Sequence, residues 1–137
     1  MRILIVDDNY TSRSQIKAVF GQYGDCDCAP DGDIALSLFV AAHQEKIPYD
    51  IITMDIDMPD VKGDQIVQKI RQWEKSNQIY QNSYSKEASI IMVTALSMKD
   101  NILSSFKSGC EAYIVKPITK VKVEAILEDI KMQKVRS

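Results

Sequence analysis

Short apolar runs alternate along this chain with segments whose apolar residues recur at helical spacing, the pattern of βαβ units that feed a parallel sheet. The first run, Arg2 to Val6, is rich in β-branched residues and stops at Asp7, as a strand buried on both faces does when its carboxyl end reaches the surface. A helix is predicted from about Thr11 to Tyr23, where Ile16, Val19, Phe20 and Tyr23 share one face, with Gly24 as its stop. A weaker strand follows at Cys26 to Ala29. The turn Pro30-Asp31-Gly32 then leads into a helix with the apolar stripe Ile34, Ala35, Leu38, Phe39 and Ala42. Pro48 breaks that period, and the third strand, Asp50 to Asp55, again runs from an apolar stretch straight into a carboxylate.

Beyond Met58-Pro59-Asp60, Gly63 opens a helix to about Trp73 with Ile66, Val67 and Ile70 turned inward. The stretch Glu74 to Lys86 is polar, lacks period and carries Tyr80 and Tyr84. It reads as an exposed loop, with or without a helical extension, and a bland insertion is favoured over a partner surface. A fourth strand, Ser89 to Thr94, precedes a helix from about Ser97 to Ser108 with Met98, Ile102 and Phe106 at four-residue spacing and Gly109 as its stop. The fifth strand, Ala112 to Val115, runs into Lys116-Pro117. A last helix from about Thr119 to Gln133 then turns Val123, Ile126, Leu127 and Ile130 to the core. Five strands and five helices without a repeat or linker are expected to make one domain over residues 1–137, with Lys-Val-Arg-Ser as a fraying basic tail.

Composition narrows the partners. With 45% hydrophobic residues and a net charge of -2, the chain has material for a core but no basic field for nucleic acid. No run reaches membrane-spanning length, and Asp7 and Asp8 interrupt the first apolar run too early for a signal peptide, so no membrane contact and a cytoplasmic location are expected. Cys26, Cys28 and Cys110 are odd in number and lack zinc-type spacing. A metal or redox role for Cys26-Asp27-Cys28 is set against buried structural thiols sharing one strand face, and the latter is favoured. His43, the sole histidine, reads as a surface residue in a helix, without a phosphotransfer context.

In an open doubly wound sheet, every strand's carboxyl end lies along one edge, and ligands bind there where strand order reverses. The residues delivered to that edge are Asp7 and Asp8 after strand one, Asp55 at the end of strand three, Thr94 at the end of strand four and Lys116 after strand five. Crowded carboxylates repel one another and call for a cation; Mg2+ suits best, being hard, satisfied by few protein oxygens and at ease with a phosphate oxygen. Asp55 is placed centrally enough to attack phosphorus as a carboxylate nucleophile. Lys116 would then pair with a phosphoryl oxygen and Thr94 would donate a hydrogen bond to another.

The ordered motifs Val-Asp-Asp-Asn at 6–9, Met-Asp-Ile-Asp-Met-Pro at 54–59, Gly63, Val-Thr-Ala at 93–95 and Gly-Cys-Glu-Ala-Tyr-Ile-Val-Lys-Pro at 109–117 resemble the response regulator receiver family, chemotaxis regulators included. The resemblance covers nearly the whole chain. It implies a flavodoxin-like α/β fold, a doubly wound five-stranded parallel sheet in the order 2-1-3-4-5 with five helices, and a two-component or phosphorelay function. It further implies Asp55 as phosphoacceptor, Asp7 and Asp8 as the Mg2+ pair with Asp8 the more direct ligand, and the backbone carbonyl of Asp57 as another ligand. Thr94 and Tyr113 become the switch pair, Lys116 the phosphoryl partner, the Lys116–Pro117 bond cis, and Ala95 a small residue that leaves access to the acceptor. The implied donor is a histidine kinase or histidine phosphotransfer protein. The implied output is a protein target met by the face of the fourth helix, fifth strand and fifth helix. Two departures stand out: Asp55 and Thr94 are 39 positions apart, the excess falling in the Glu74 to Lys86 stretch, and Asp57 adds a fourth carboxylate.

Rival readings carry specific signatures. Asp55-Ile56-Asp57 resembles the Asp-x-Asp motif of haloacid-dehalogenase-type phosphatases, but here the other acidic pair lies upstream and Lys116-Pro117 closes the site. A receiver excised from a hybrid histidine kinase has the same residues. A phosphorylation-independent binding module does not require the intact acid, hydroxyl and lysine set, and a flavin carrier requires a hydroxyl-rich loop after the first strand, which is missing. The chain is therefore expected not to be an enzyme, apart from catalysing its own phosphorylation and dephosphorylation.

Overall fold

The alternation of strands and helices is present in a computed structural model of the chain, which describes residues 1–56, 58, 63–77, 79, 87–95 and 109–136. In chain order the elements are β1 (Arg2–Val6), α1 (Tyr10–Phe20), β2 (Asp25–Ala29), α2 (Gly32–Gln44), β3 (Ile51–Asp55), α3 (Gly63–Ser76), β4 (Ser89–Thr94), β5 (Ala112–Val115) and α4 (Lys120–Arg136). The helix expected from Ser97 to Ser108 lies outside the described residues.

All strand pairings are parallel, in the order β2-β1-β3-β4-β5. The chain steps outward from β1 to β2 and then returns across β1 to β3, so the reversal of winding falls between the carboxyl ends of β1 and β3. Alternate strand residues feed two separate cores, because neighbouring side chains point to opposite faces. Leu4, Val6, Ile52, Met54, Ile90 and Met92 pack with Ala35, Phe39, Ile66 and Ile70 of α2 and α3. Ile3, Ile5, Ile91, Val93 and Ile114 pack with Ile16 and Phe20 of α1 and Val123 and Ile130 of α4. Each such fully buried aliphatic side chain stabilises the fold by about 1.5–3 kcal/mol over leaving it in water. Covering β1, β3 and β4 on both faces is what makes their sequences nearly continuous apolar runs.

Several local expectations are corrected. Helix α1 ends at Phe20, three residues early: past Gly21 the bonds become the i→i−3 turns of Gln22 N on Val19 O and Tyr23 N on Phe20 O, and Gly24 packs against the Met1 carbonyl. Ile34 of the α2 stripe is exposed, while Ala35, Phe39 and Ala42 carry the burial. His43 is not a surface residue: its ring is half-buried, with centroids 4.9 Å from both Phe39 and Trp73. All three cysteines are free thiols and half-buried rather than fully buried; burial pushes the Cys26 thiol up and that of Cys110 up to about 11, so neither is poised as a thiolate.

Helix α3 extends past Trp73 to Ser76, so Glu74 is a helical residue, and it is buried where exposure was expected. Its carboxylate is 2% exposed. Arg71 Nη1 donates to it at 2.7 Å and Ala88 N at 2.8 Å. Burial pushes the Glu74 carboxyl above its ordinary value, against the opposing pull of these two donors. The same guanidinium donates to the carbonyls of Gly109 and Ala88 and to both oxygens of Glu111, tying the end of α3 to the entries of β4 and β5. Gly109 itself has φ +105°, a backbone conformation that only glycine adopts without strain.

Candidate functional site

The backbone fixes the strand tips before any side chain acts. Parallel pairing continues past each strand end: Asp7 N donates to Ala29 O at 3.1 Å, Ile56 N to Val93 O at 3.0 Å, and Lys116 N to Thr94 O at 2.7 Å. Asp55 pairs in register with Val93 and Thr94 with Val115, so the carboxyl ends of β3, β4 and β5 are level. Gly63 opens α3 against this edge, and a Cβ there would sit 2.2 Å from the Asp55 carbonyl oxygen; the close approach of helix to strand excludes any larger residue.

On this frame Asp7, Asp8 and Asp55 each bring a carboxylate oxygen within 4.8 Å of the others. Asp7 is fully buried, Asp55 is 7% exposed, and Asp8 stands open to solvent. Both Asp7 oxygens are engaged within the protein. Oδ1 accepts from Asn9 N at 2.9 Å, and Oδ2 lies 3.3 Å from Lys116 Nζ. Asp8 is therefore the member of the pair more open to an outside cation. Among the described residues these three carboxylates meet the Lys116 ammonium, and their oxygen-only donor set matches a hard divalent ion such as Mg2+.

Thr94 is fully buried, Ala95 is exposed beside it, and the Tyr113 side chain on β5 is 37% exposed. The peptide bond between Lys116 and Pro117 is cis. Lys122 of α4 braces this turn, donating to Val115 O at 2.9 Å and Pro117 O at 3.0 Å. Asp57 lies outside the described residues.

Two residues at the edge escape a reading of strand tips alone. Ser12 Oγ accepts from Lys116 Nζ at 2.8 Å, and Arg13 Nη1 donates to the Asp7 carbonyl at 2.8 Å. Both sit in the first turn of α1, whose N-cap, Asn9, accepts from Ser12 N at 2.9 Å. The signal for them is positional: a helix that follows a strand begins over that strand's carboxyl end, so its first turn faces the same cleft.

Residues 3–128 match the family described as the response regulator receiver domain. The chain belongs to that family. As a receiver domain it is a signalling module of two-component and phosphorelay systems. It is 31% identical over 136 residues to the chemotaxis protein CheY of Pseudomonas aeruginosa, covering 95% of this chain and 98% of that protein. It is 30% identical to hybrid signal transduction histidine kinase L of Dictyostelium discoideum, covering 93% of this chain but only 7% of the kinase. The receiver fold is shared with the receiver domain of the histidine kinase CKI1 from Arabidopsis thaliana, crystallised with Mg2+ and BeF3-. The TM-score is 0.81 at 23% identity, covering 96% of this chain and 89% of that one. Among the described residues, no helix of this receiver is long and apolar enough to cross a membrane.

Proposed function

We propose that this chain is a single phosphoacceptor domain over residues 1–137, in which Asp55 takes a phosphoryl group from a phosphohistidine on a histidine kinase or histidine phosphotransfer protein. The observation that carries the reading is the meeting of Asp7, Asp8 and Asp55 within 4.8 Å, with Lys116 against Asp7. An Asp55 carboxylate oxygen attacks phosphorus, the phosphorus–nitrogen bond breaks, and the imidazole leaves with the electron pair and takes up a proton. Asp8, Asp55, the backbone carbonyl of Asp57 and, behind them, Asp7 would hold Mg2+, which when bound neutralises charge on the transferring group. Lys116 pairs with one phosphoryl oxygen and Thr94 donates to another. Thr94, buried behind the edge, moves toward the phosphoryl group on phosphorylation and Tyr113 turns inward into the space it vacates, which alters the face around β5 and α4 for a downstream protein target in the cytoplasm. The acyl phosphate forms and is lost on the domain itself, with no turnover of an external ester.

Labelled acetyl phosphate with Mg2+ tests the reading. One acid-labile equivalent is expected on the wild type and none on Asp55→Asn, with both proteins folded. Persistent labelling of Asp55→Asn would refute the assignment, and continuous hydrolysis of external phosphate esters would favour a phosphatase instead.

A further inference from the structure

We propose that Ser12 is a positioning residue for Lys116, aiming its ammonium at the phosphoryl group; this rests on the phosphoacceptor reading above. The lysine backbone is already fixed by its N–H on Thr94 O and by the Lys122 brace on Val115 and Pro117, so the freedom left is in its four-carbon stem. Two contacts take up that freedom. Ser12 Oγ is the shorter, at 2.8 Å, and Asp7 Oδ2 the longer, at 3.3 Å.

Ser12 is itself held. Its N–H donates to Asn9 Oδ1, the Asn9 N–H donates to Asp7 Oδ1, and Arg13 grips the Asp7 carbonyl, so the hydroxyl and the carboxylate form one rigid seat. An ammonium has three donors, of which Asp7 and Ser12 take two and leave one. The second acceptor is neutral, and this matters. A carboxylate at position 12 would cancel the charge that has to stabilise the phosphoryl oxygens, whereas a hydroxyl fixes its direction and leaves it available. Ser12 thus acts on the reaction through Lys116 and touches no reacting atom.

The test is a double-mutant cycle on labelling by acetyl phosphate at saturating Mg2+. Ser12→Ala is expected to slow labelling roughly three- to tenfold, the scale of a loosened catalytic group, with an unchanged Mg2+ dissociation constant. Ser12→Thr, which keeps the hydroxyl, should recover most of the rate. In a Lys116→Ala background, Ser12→Ala should have no further effect. A general structural role would instead slow both backgrounds by the same factor, and that result, or a wild-type rate in Ser12→Ala, overturns the proposal. Wild-type protein that takes no label, or Asp55→Asn that does, would overturn the phosphoacceptor reading and this inference with it. Labelling confined to Asp55 but indifferent to Ser12 would overturn this inference alone.

Discussion

Arg71 donates to both carboxylate oxygens of Glu111, at 2.7 and 2.8 Å, and the second of these oxygens also accepts from Ile90 N at 2.5 Å. The Glu111 carboxylate thereby stands where a neighbouring strand's carbonyl would, starting the β4–β5 ladder one residue early, beside the backbone bond from Glu111 N to Ile90 O. Burial works against the Arg71 charge, but Glu111 and Glu74 outweigh it and hold the guanidinium ionised. Removing it strands a buried carboxylate on α3 and frees the Gly109 and Ala88 carbonyls at once.

Arg71→Met is therefore expected to destabilise the domain by about 3 kcal/mol, the scale for breaking one side of a buried ion pair. Arg71→Lys should recover little, because three donors on a point charge cannot replace a planar fork serving both Glu111 and Glu74. Urea unfolding followed by the fluorescence of Trp73, the sole tryptophan, measures both. An unchanged midpoint in Arg71→Met would show the clamp to be incidental.

A second expectation concerns the acidic edge. Carboxylates of Asp7, Asp8 and Asp55 within 4.8 Å repel one another in metal-free protein, and Mg2+ binding to the native state alone should stabilise it by about 2.7 kcal/mol at a hundredfold excess over its dissociation constant. Asp8→Asn should raise the urea midpoint of the metal-free protein and shrink the increment that Mg2+ adds. Chelation should reverse the wild-type increment. An Mg2+ increment equal in wild type and Asp8→Asn would remove Asp8 from the ligand set.

What was legible in the sequence follows from which interactions repeat. The strands were readable because β1, β3 and β4 are apolar on both faces, and the acids were readable because Asp7 and Asp55 interrupt those runs at one end. The Ser12 contact and the Arg71 clamp were not, since each depends on pairing across many positions: Lys116 with Ser12, Arg71 with Glu111. Glu74 was misread as exposed because a charged residue in a polar stretch carries no period, and only the Arg71 and Ala88 donors make its burial tolerable. His43 was misplaced for a related reason: one helical position cannot tell whether the adjoining helix presents Trp73 or water.

That packing gives His43 a pH signature. Burial pulls its imidazole below the ordinary value of 6.5, and Nε2 has no hydrogen-bond partner among the described residues. The unfolded chain then takes up a proton more readily than the folded one. The His43 contribution is full above pH 6.5 and is lost progressively as pH falls below it, until the folded-state imidazole also protonates. Urea midpoints between about pH 7.5 and pH 5.5 should fall more in wild type than in His43→Leu. Glu74, whose raised carboxyl has the opposite pH sense, is common to both proteins and drops out of the difference. Equal slopes in the two proteins would sink this account.

The last expectation concerns a polar group with nothing to bond. Thr53 lies in the middle of β3, fully buried, and its Oγ1 has no hydrogen-bond partner among the described residues. Its register neighbours are Ile5 on β1 and Ile91 on β4, both in the core beneath α1 and α4. Folding strips water from the hydroxyl and returns no partner among the described residues, a cost of about 1–3 kcal/mol. Valine has nearly the same shape, keeps the β-branched fit to a central strand and has no donor or acceptor to desolvate. Thr53→Val should therefore stabilise the domain by about 1 kcal/mol, read as a higher urea midpoint at unchanged m-value, and labelling at Asp55 should persist because the position is two residues short of the strand tip. A loss of stability in Thr53→Val would mean that the hydroxyl is satisfied in solution, with a buried water as the direct candidate.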